Sequence, residues 1–238
     1  MQPAVRVVAI IPALNEERTI GWVVQECLEH VDEVLVVDGG SRDQTCEVAQ
    51  ASGARLLRLG CRGKGLAERA GIREVDSGLL VFIDADGSHR PRDIPRLLQP
   101  ILRGDADLVI GCRVTGGSDE LDGQLDHLPR AIGCRLVQAC VNLCLGVRLT
   151  DIQNGFRCIR AGVARSLQIR HPGFAFDQEM SIRCLRMGYR VVNVPSHEDR
   201  RLYGKSRLCL WRAGPGVLWN AATLLLGAML TRRRRRAS

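Results

Sequence analysis

Five short apolar runs, each parted from the next by a stretch with helical spacing, constrain this chain more than any other feature. Residues 5–11 form a continuous β-branched run, as expected of a parallel strand covered on both faces. Ile20, Val23, Val24, Cys27 and Leu28 then mark one face of a helix over 17–29,. A strand at 33–37, a helix near 43–51, a strand at 55–59 and a helix after Gly65 continue the pattern. Residues 79–83 read as the fourth strand, 91–102 as a helix opened by Pro91, and 107–110 as the fifth strand,. A later strand is expected at 190–194. The βαβαβαβαβ order predicts an α/β fold: a mostly parallel sheet flanked by helices, with right-handed crossovers.

In such sheets ligands sit beyond the carboxyl ends of the strands. The residues there are Pro12-Ala13-Leu14-Asn15-Glu16, Asp38-Gly39-Gly40-Ser41, Gly63-Lys64-Gly65, Asp84-Ala85-Asp86 and Gly111-Cys112-Arg113. Side chains alternate along a strand, so Asp84 and Asp86 are expected to point one way while Ala85 faces the packing. Two converging carboxylates repel unless a cation joins them. Mg²⁺ or Mn²⁺ bridging the diphosphate of a nucleotide is the natural partner, because such ions are held by one or two carboxylates plus substrate phosphates. Asp38 stands where an acid accepts a ribose or base hydrogen bond, and Ser41 or Asp43 where a helix needs a cap. Lys64 is a phosphate candidate, although the chain lacks a Walker A frame.

The net charge of +8 falls to +3 once Arg232 to Arg236 are set aside, so the body of the chain is mildly basic. Aromatic residues make up 4% and are not spaced for base stacking, so nucleic acid is not expected as a partner,. None of the ten cysteines forms a C-x-x-C pair, and most lie in apolar runs as small hydrophobes. The opening MQPAVRVVAIIPALNEE runs into a strand with acids soon after, unlike a secretory signal,. A reducing, cytoplasmic setting is the expectation.

The motifs IIPALNEE, VVDGGSRDQT, RGKGLA, FIDADGSHRP, GCR, LTDIQNGFR, FDQEMSIRCLRMGYRVVNVP and RRLYGKSR, in this order, resemble the family 2 glycosyltransferases, within them the dolichyl-phosphate-mannose-synthase-like branch. The resemblance implies a GT-A, Rossmann-like domain over 1–211, with a nucleotide-sugar half at about 1–113 and an acceptor half at about 114–211. It implies an inverting, metal-dependent transfer of a hexose, mannose or glucose, from a GDP- or UDP-sugar to a polyprenyl or dolichyl phosphate. Pro12, Ala13, Asn15, Glu16, Asp38, Lys64, Asp84 and Ala85 would bind the nucleotide sugar, and Asp84 and Asp86 the Mg²⁺ or Mn²⁺. Asp86, Arg113 and Arg130 would act in catalysis, and Arg157, Arg200, Arg201 and Lys205 would hold acceptor phosphate. Ser88 stands where some relatives place a glutamine beside the metal.

A hydroxyl acceptor would need a general base, with His89, Asp126 and Glu179 as candidates, whereas a lipid phosphate is already an anionic nucleophile. Arg200, Arg201, Lys205 and Arg207 would then clamp the anion. Arg157 is expected either in a buried ion pair or on the acceptor, Phe156 in a structural role, and His127, His171 and His197 on loops or the surface. Residues 213–230 are nearly free of charge and end on five arginines. They read, within 212–238, as an apolar helix with a polybasic tail resting on an anionic membrane surface at the cytoplasmic face. The alternative is a helix docked on the core or mediating a homodimer. Three rival functions remain open at this point: the same donor chemistry with a soluble phosphorylated acceptor such as a glycerate, a haloacid-dehalogenase-like phosphatase with Asp84 as nucleophile, and a non-enzymatic membrane or nucleic-acid binding module.

Overall fold

The computed structural model describes residues 5–119 and 128–203 and Thr223, the side chains of 128–131 excepted. The expected C-terminal helix and tail, Lys205, Arg207, Asp126 and His127 lie outside the described residues, as does the side chain of Arg130. The first half alternates as its sequence pattern requires: β1 (Val7–Ala13), α1 (Ile20–Leu28), β2 (Glu33–Asp38), α2 (Thr45–Ala51), β3 (Arg55–Arg58), α3 (Lys64–Arg73), β4 (Leu79–Phe82), α4 (Ile94–Leu102) and β5 (Leu108–Cys112). A single 3₁₀ turn at Pro91–Asp93 precedes α4. The second half adds α5 (Arg113–Gly116), α6 (Leu128–Leu145), β6 (Arg157–Arg160), α7 (Ala161–Ser166), α8 (Phe176–Arg186) and β7 (Val191–Pro195).

The seven strands form one sheet in the order β3-β2-β1-β4-β6-β5-β7. β5 does not lie beside β4, as unbroken alternation would place it. β6 runs antiparallel between them, pairing Leu80 with Ile159 on one side and Leu108 with Ile159 on the other. The other pairings are parallel, so the sheet remains mostly parallel.

Strand alternation divides the core between two faces. Val7, Ala9, Ile11, Val34, Val36, Leu79 and Val81 pack on the side of α1 and α4, with Ile83 and Ala85 continuing the row. Val8, Ile10, Leu35, Val37, Leu80 and Phe82 pack on the side of α3, α7 and α8. A smaller cluster joins α6 to α8 through Val137, Val141 and Ile182. Since Ala85 belongs to the first face, the main chain after β4 leaves Asp84 on the side of α3 and α8, where the chemistry gathers.

Candidate active site

A cavity of about 230 Å³ opens at the carboxyl ends of β1, β2 and β4. Pro12, Ala13, Glu16, Gly39, Lys64, Asp84, Ala85, Asp86 and Arg201 are in its wall. Four of the five sequence-chosen tips therefore meet at one place, Gly111-Cys112-Arg113 standing outside its wall, and within the four Asp38 and Asn15 turn to other work. Asp38 is 3% exposed and its carboxylate accepts the backbone N–H groups of Gly40, at 2.9 Å, and Ser41, at 3.1 Å. It shapes the turn after β2 and does not line the cavity. Asn15, at φ +51°, accepts from the Arg42 N–H and donates its own N–H to Ser41 Oγ, stitching the first loop to the second. Both residues were expected on the nucleoside, and both work here in holding the rim.

The two carboxylates have different surroundings. Asp84 Oδ1 lies 2.6 Å from Lys64 Nζ and Asp84 Oδ2 lies 3.6 Å from His89 Nε2. Lys64 also faces Asp177 at 3.5 Å and Glu68 at 4.0 Å, so a residue at the start of α3 ties β4 to α8. Burial would push Asp84 upward, but Lys64 and then His89 outweigh it and hold its carboxyl well below the usual carboxylate range,. Burial pulls Lys64 down, and Asp177, Asp84 and Glu68 reverse that, keeping it firmly charged. Gly155 gives this pair room: a Cβ there would stand 2.6 Å from Lys64 Nζ. Glu68, 1% exposed, has no hydrogen-bond partner for either oxygen among the described residues, and burial followed by Asp177 pushes its carboxyl well up.

Asp86 is served from the other direction. Its Oδ1 accepts the Ser88 N–H at 2.9 Å and the Ser88 hydroxyl at 2.6 Å, and its Oδ2 pairs with Arg201 at 2.6 Å. Ser88 therefore spends its hydroxyl on orienting Asp86. The donor set in the wall, the hard carboxylates of Glu16, Asp84 and Asp86 with no sulfur or imidazole among the lining residues, suits Mg²⁺ or Mn²⁺.

Arg113 opens α5 and is locked by Asp151, at 2.7 and 3.2 Å, and by Glu198 at 3.5 Å. Burial disfavours its charge, but Asp151 and Glu198 override this and hold it up. Arg200 lies in the strip after β7, beside Arg201. Arg157 departs from the acceptor role: it is fully buried, donating to the carbonyls of Asn154 and Asp177 and lying 3.3 Å from Asp177 Oδ1. No guanidinium atom faces solvent, so the buried ion pair is the role the structure builds. Phe156, also fully buried, stacks on His89 with ring centroids 5.2 Å apart.

The two general-base candidates among the described residues, His89 and Glu179, are likewise engaged. His89 is 2% exposed and engaged with Asp84. Glu179 accepts from the N–H groups of Arg170 and His171 and from Arg183, so it braces the loop before α8. His197, expected merely on the surface, comes within 3.1 Å of Asp119 and 3.6 Å of Asp199, and the three offer ligand atoms within 4.8 Å of one another. Arg90 already forms a two-point pair with Asp199 there. Spacing along the chain gave no sign of this cluster because Asp119 and His197 meet only through β-bridge contacts around Glu198.

Among the described residues no helix is long and apolar enough to cross a membrane. Residues 8–164 match the model of the family described as glycosyl transferase family 2. The chain is 35% identical over 229 residues to the undecaprenyl-phosphate mannosyltransferase of Micrococcus luteus, covering 90% of this chain and 91% of that protein. It is 32% identical to the polyprenol monophosphomannose synthase of Mycolicibacterium smegmatis, covering 87% and 83%. Among solved structures, glucosyl-3-phosphoglycerate synthase of Mycobacterium tuberculosis with phosphoglyceric acid superposes with a TM-score of 0.74 at 26% identity, covering 93% and 80%. The same synthase with Mg²⁺ and uridine diphosphate gives 0.73 at 25%, covering 94% and 79%.

Proposed function

The chain belongs to glycosyltransferase family 2, and from that premise we propose that it moves a hexose, mannose or glucose, with inversion from a GDP- or UDP-sugar to a polyprenyl phosphate at the cytoplasmic membrane face. The observation that carries the reading is the convergence of Asp84, Asp86, Lys64 and Arg201 on one cavity beside Pro12 and Gly39. The cavity joins a close backbone approach to both signs of charge, as a nucleoside diphosphate requires. A divalent ion held by Asp84 and Asp86 would offset charge developing on the leaving nucleotide. Lys64 keeps Asp84 ionised, and Ser88 turns Asp86 toward the cavity. Arg113, outside the cavity wall, is held in one orientation by Asp151 and Glu198. An anionic phosphate acceptor supplies its own nucleophilic oxygen, which agrees with His89 and Glu179 being committed elsewhere.

The mannosyltransferase relatives support a lipid phosphate acceptor and a membrane setting, with 212–238 as the contact to an anionic surface. The likeness to the phosphoglycerate enzyme favours a second reading, a soluble phosphorylated acceptor. The family placement removes the phosphatase reading of DADGS and the reading as a binding module alone. Purified protein with GDP-mannose or UDP-glucose, Mn²⁺, and either undecaprenyl phosphate or 3-phosphoglycerate separates the two acceptors. A glycolipid product is expected. Transfer to 3-phosphoglycerate alone would replace the lipid by the soluble acceptor.

A further inference from the structure

Each oxygen of Asp84 and Asp86 faces a donor, and the donors differ in their freedom to leave. Lys64 Nζ is shared among Asp84, Asp177 and Glu68. His89 is buried under Phe156, and Ser88 is 4% exposed. Arg201, with a side chain 23% exposed, belongs to neither helix nor strand. Its strip is held by the Leu202 N–H on the Asp86 carbonyl at 3.3 Å, by Leu202 over Gly87, and by Tyr203 under Arg18 at 5.5 Å. Leu202 and Tyr203 are each 52% exposed. Gly87, at φ +76°, admits the strip: a Cβ there would stand 2.7 Å from Leu202 Cδ1.

We propose that Arg201 holds the place of the divalent cation on Asp86 and exchanges from Asp86 to the donor's diphosphate when the cation binds. The inference rests on the reading of Asp84 and Asp86 as the cation's ligands. Without a counter-charge two carboxylates facing one cavity repel, and Arg201 supplies that charge to Asp86. A guanidinium does not lose its proton in a protein, so Arg201 yields its place only by moving. The anion that arrives with the cation, a diphosphate, is a matching two-point acceptor for the group displaced. Seating of Leu202 over Gly87 and cation binding at Asp86 therefore exclude one another. Arg201 is a positioning residue in the free protein and a diphosphate contact in the loaded one.

Mn²⁺ alone, titrated into the full-length protein and followed by the electron paramagnetic resonance of the free ion, tests the exchange without reference to turnover. If Arg201 occupies Asp86 in about nine molecules of ten, the apparent affinity is lowered roughly tenfold. Arg201→Ala is accordingly expected to bind Mn²⁺ about tenfold more tightly than the parent, Arg201→Lys by an intermediate factor, and Leu202→Ser, which only loosens the strip, by a smaller one. Trp22 also lies over Gly87. In a Trp211→Phe, Trp219→Phe background its emission should shift on Mn²⁺ addition in the parent and start from the shifted value in Arg201→Ala. Mn²⁺ affinity lost in Asp86→Ala but unchanged in Arg201→Ala, with silent Trp22 emission, would overturn the exchange and leave the cation site standing. Mn²⁺ affinity that survives Asp86→Ala would overturn the site and the exchange with it.

Discussion

The networks around Asp84 and Asp86 begin two residues apart and are built on opposite principles. The inner one, Asp84 with Lys64, Asp177, Glu68 and Arg157, joins β4, α3, β6 and α8 through side chains that are mostly buried. The outer one, Asp86 with Ser88 and Arg201, ends on an exposed strip and neighbours the Arg90–Asp199 pair. Buried charges are held by mutual pairing, and removing one leaves another stranded in a medium that penalises it. Partly exposed charges exchange partners at small cost because water takes up the difference. The inner network fixes Asp84 although its side chain is 29% exposed, whereas Asp86 is buried and opens to a ligand only as Arg201, 23% exposed, moves.

The sharpest way to break the contrast is Arg157→Met. It removes one of the two cations on buried Asp177, leaving only Lys64 at 3.5 Å, and a loss of about 3–5 kcal/mol is expected in denaturant unfolding,. A loss of under about 1 kcal/mol, the level of a surface substitution, would erase the distinction. Asp86→Asn should act in the opposite sense, lowering kcat/KM by about 10²–10³-fold, as removal of a transition-state charge partner does, while melting close to the parent.

Glu68 sharpens the inner side through pH. Its folded carboxyl is held well above the ordinary value by burial and then by Asp177. The folded state therefore keeps a proton that the unfolded state releases above about pH 4.3. The associated stability is full below that pH and is lost as pH rises toward the folded value. Glu68→Gln should flatten this fall, so that variant minus parent stability grows between pH 5 and pH 8 by at most about 1.4 kcal/mol per pH unit. Urea unfolding at the two pH values reads it. A constant difference would place an ionised carboxylate in the interior. The smallest effect belongs to Arg90→Ala, whose pair with Asp199 is about one-third exposed. A change below about 1 kcal/mol that vanishes in high salt is expected.

Short apolar runs and helical spacing were enough to read β1 to β5 and the tips that line the cavity, because both follow from local geometry. The position of β6 was not readable: Arg157–Arg160 is four residues long, and its two neighbours are set by the sheet as a whole. Site roles divided in the same way. Asp84, Asp86 and Lys64 follow strand ends or open a helix, and their convergence follows from topology. Asp38 and Asn15 stand at the strand tips as expected, and nearby N–H groups engage their oxygens. The brackets on Arg113 come from Asp151 and Glu198, separated from it by 38 and 85 residues, and only tertiary structure brings them together.

The central claim is that one cavity takes a nucleoside diphosphate sugar through a cation on Asp84 and Asp86. The measurement that tests it most directly is thermal-shift binding of GDP, UDP, GDP-mannose and UDP-glucose, each with and without Mn²⁺, on the parent and on Asp86→Ala. Stabilisation by one base, dependent on Mn²⁺ and absent from Asp86→Ala, is the predicted result. Equal stabilisation of both proteins, or none by any of the four, would contradict it.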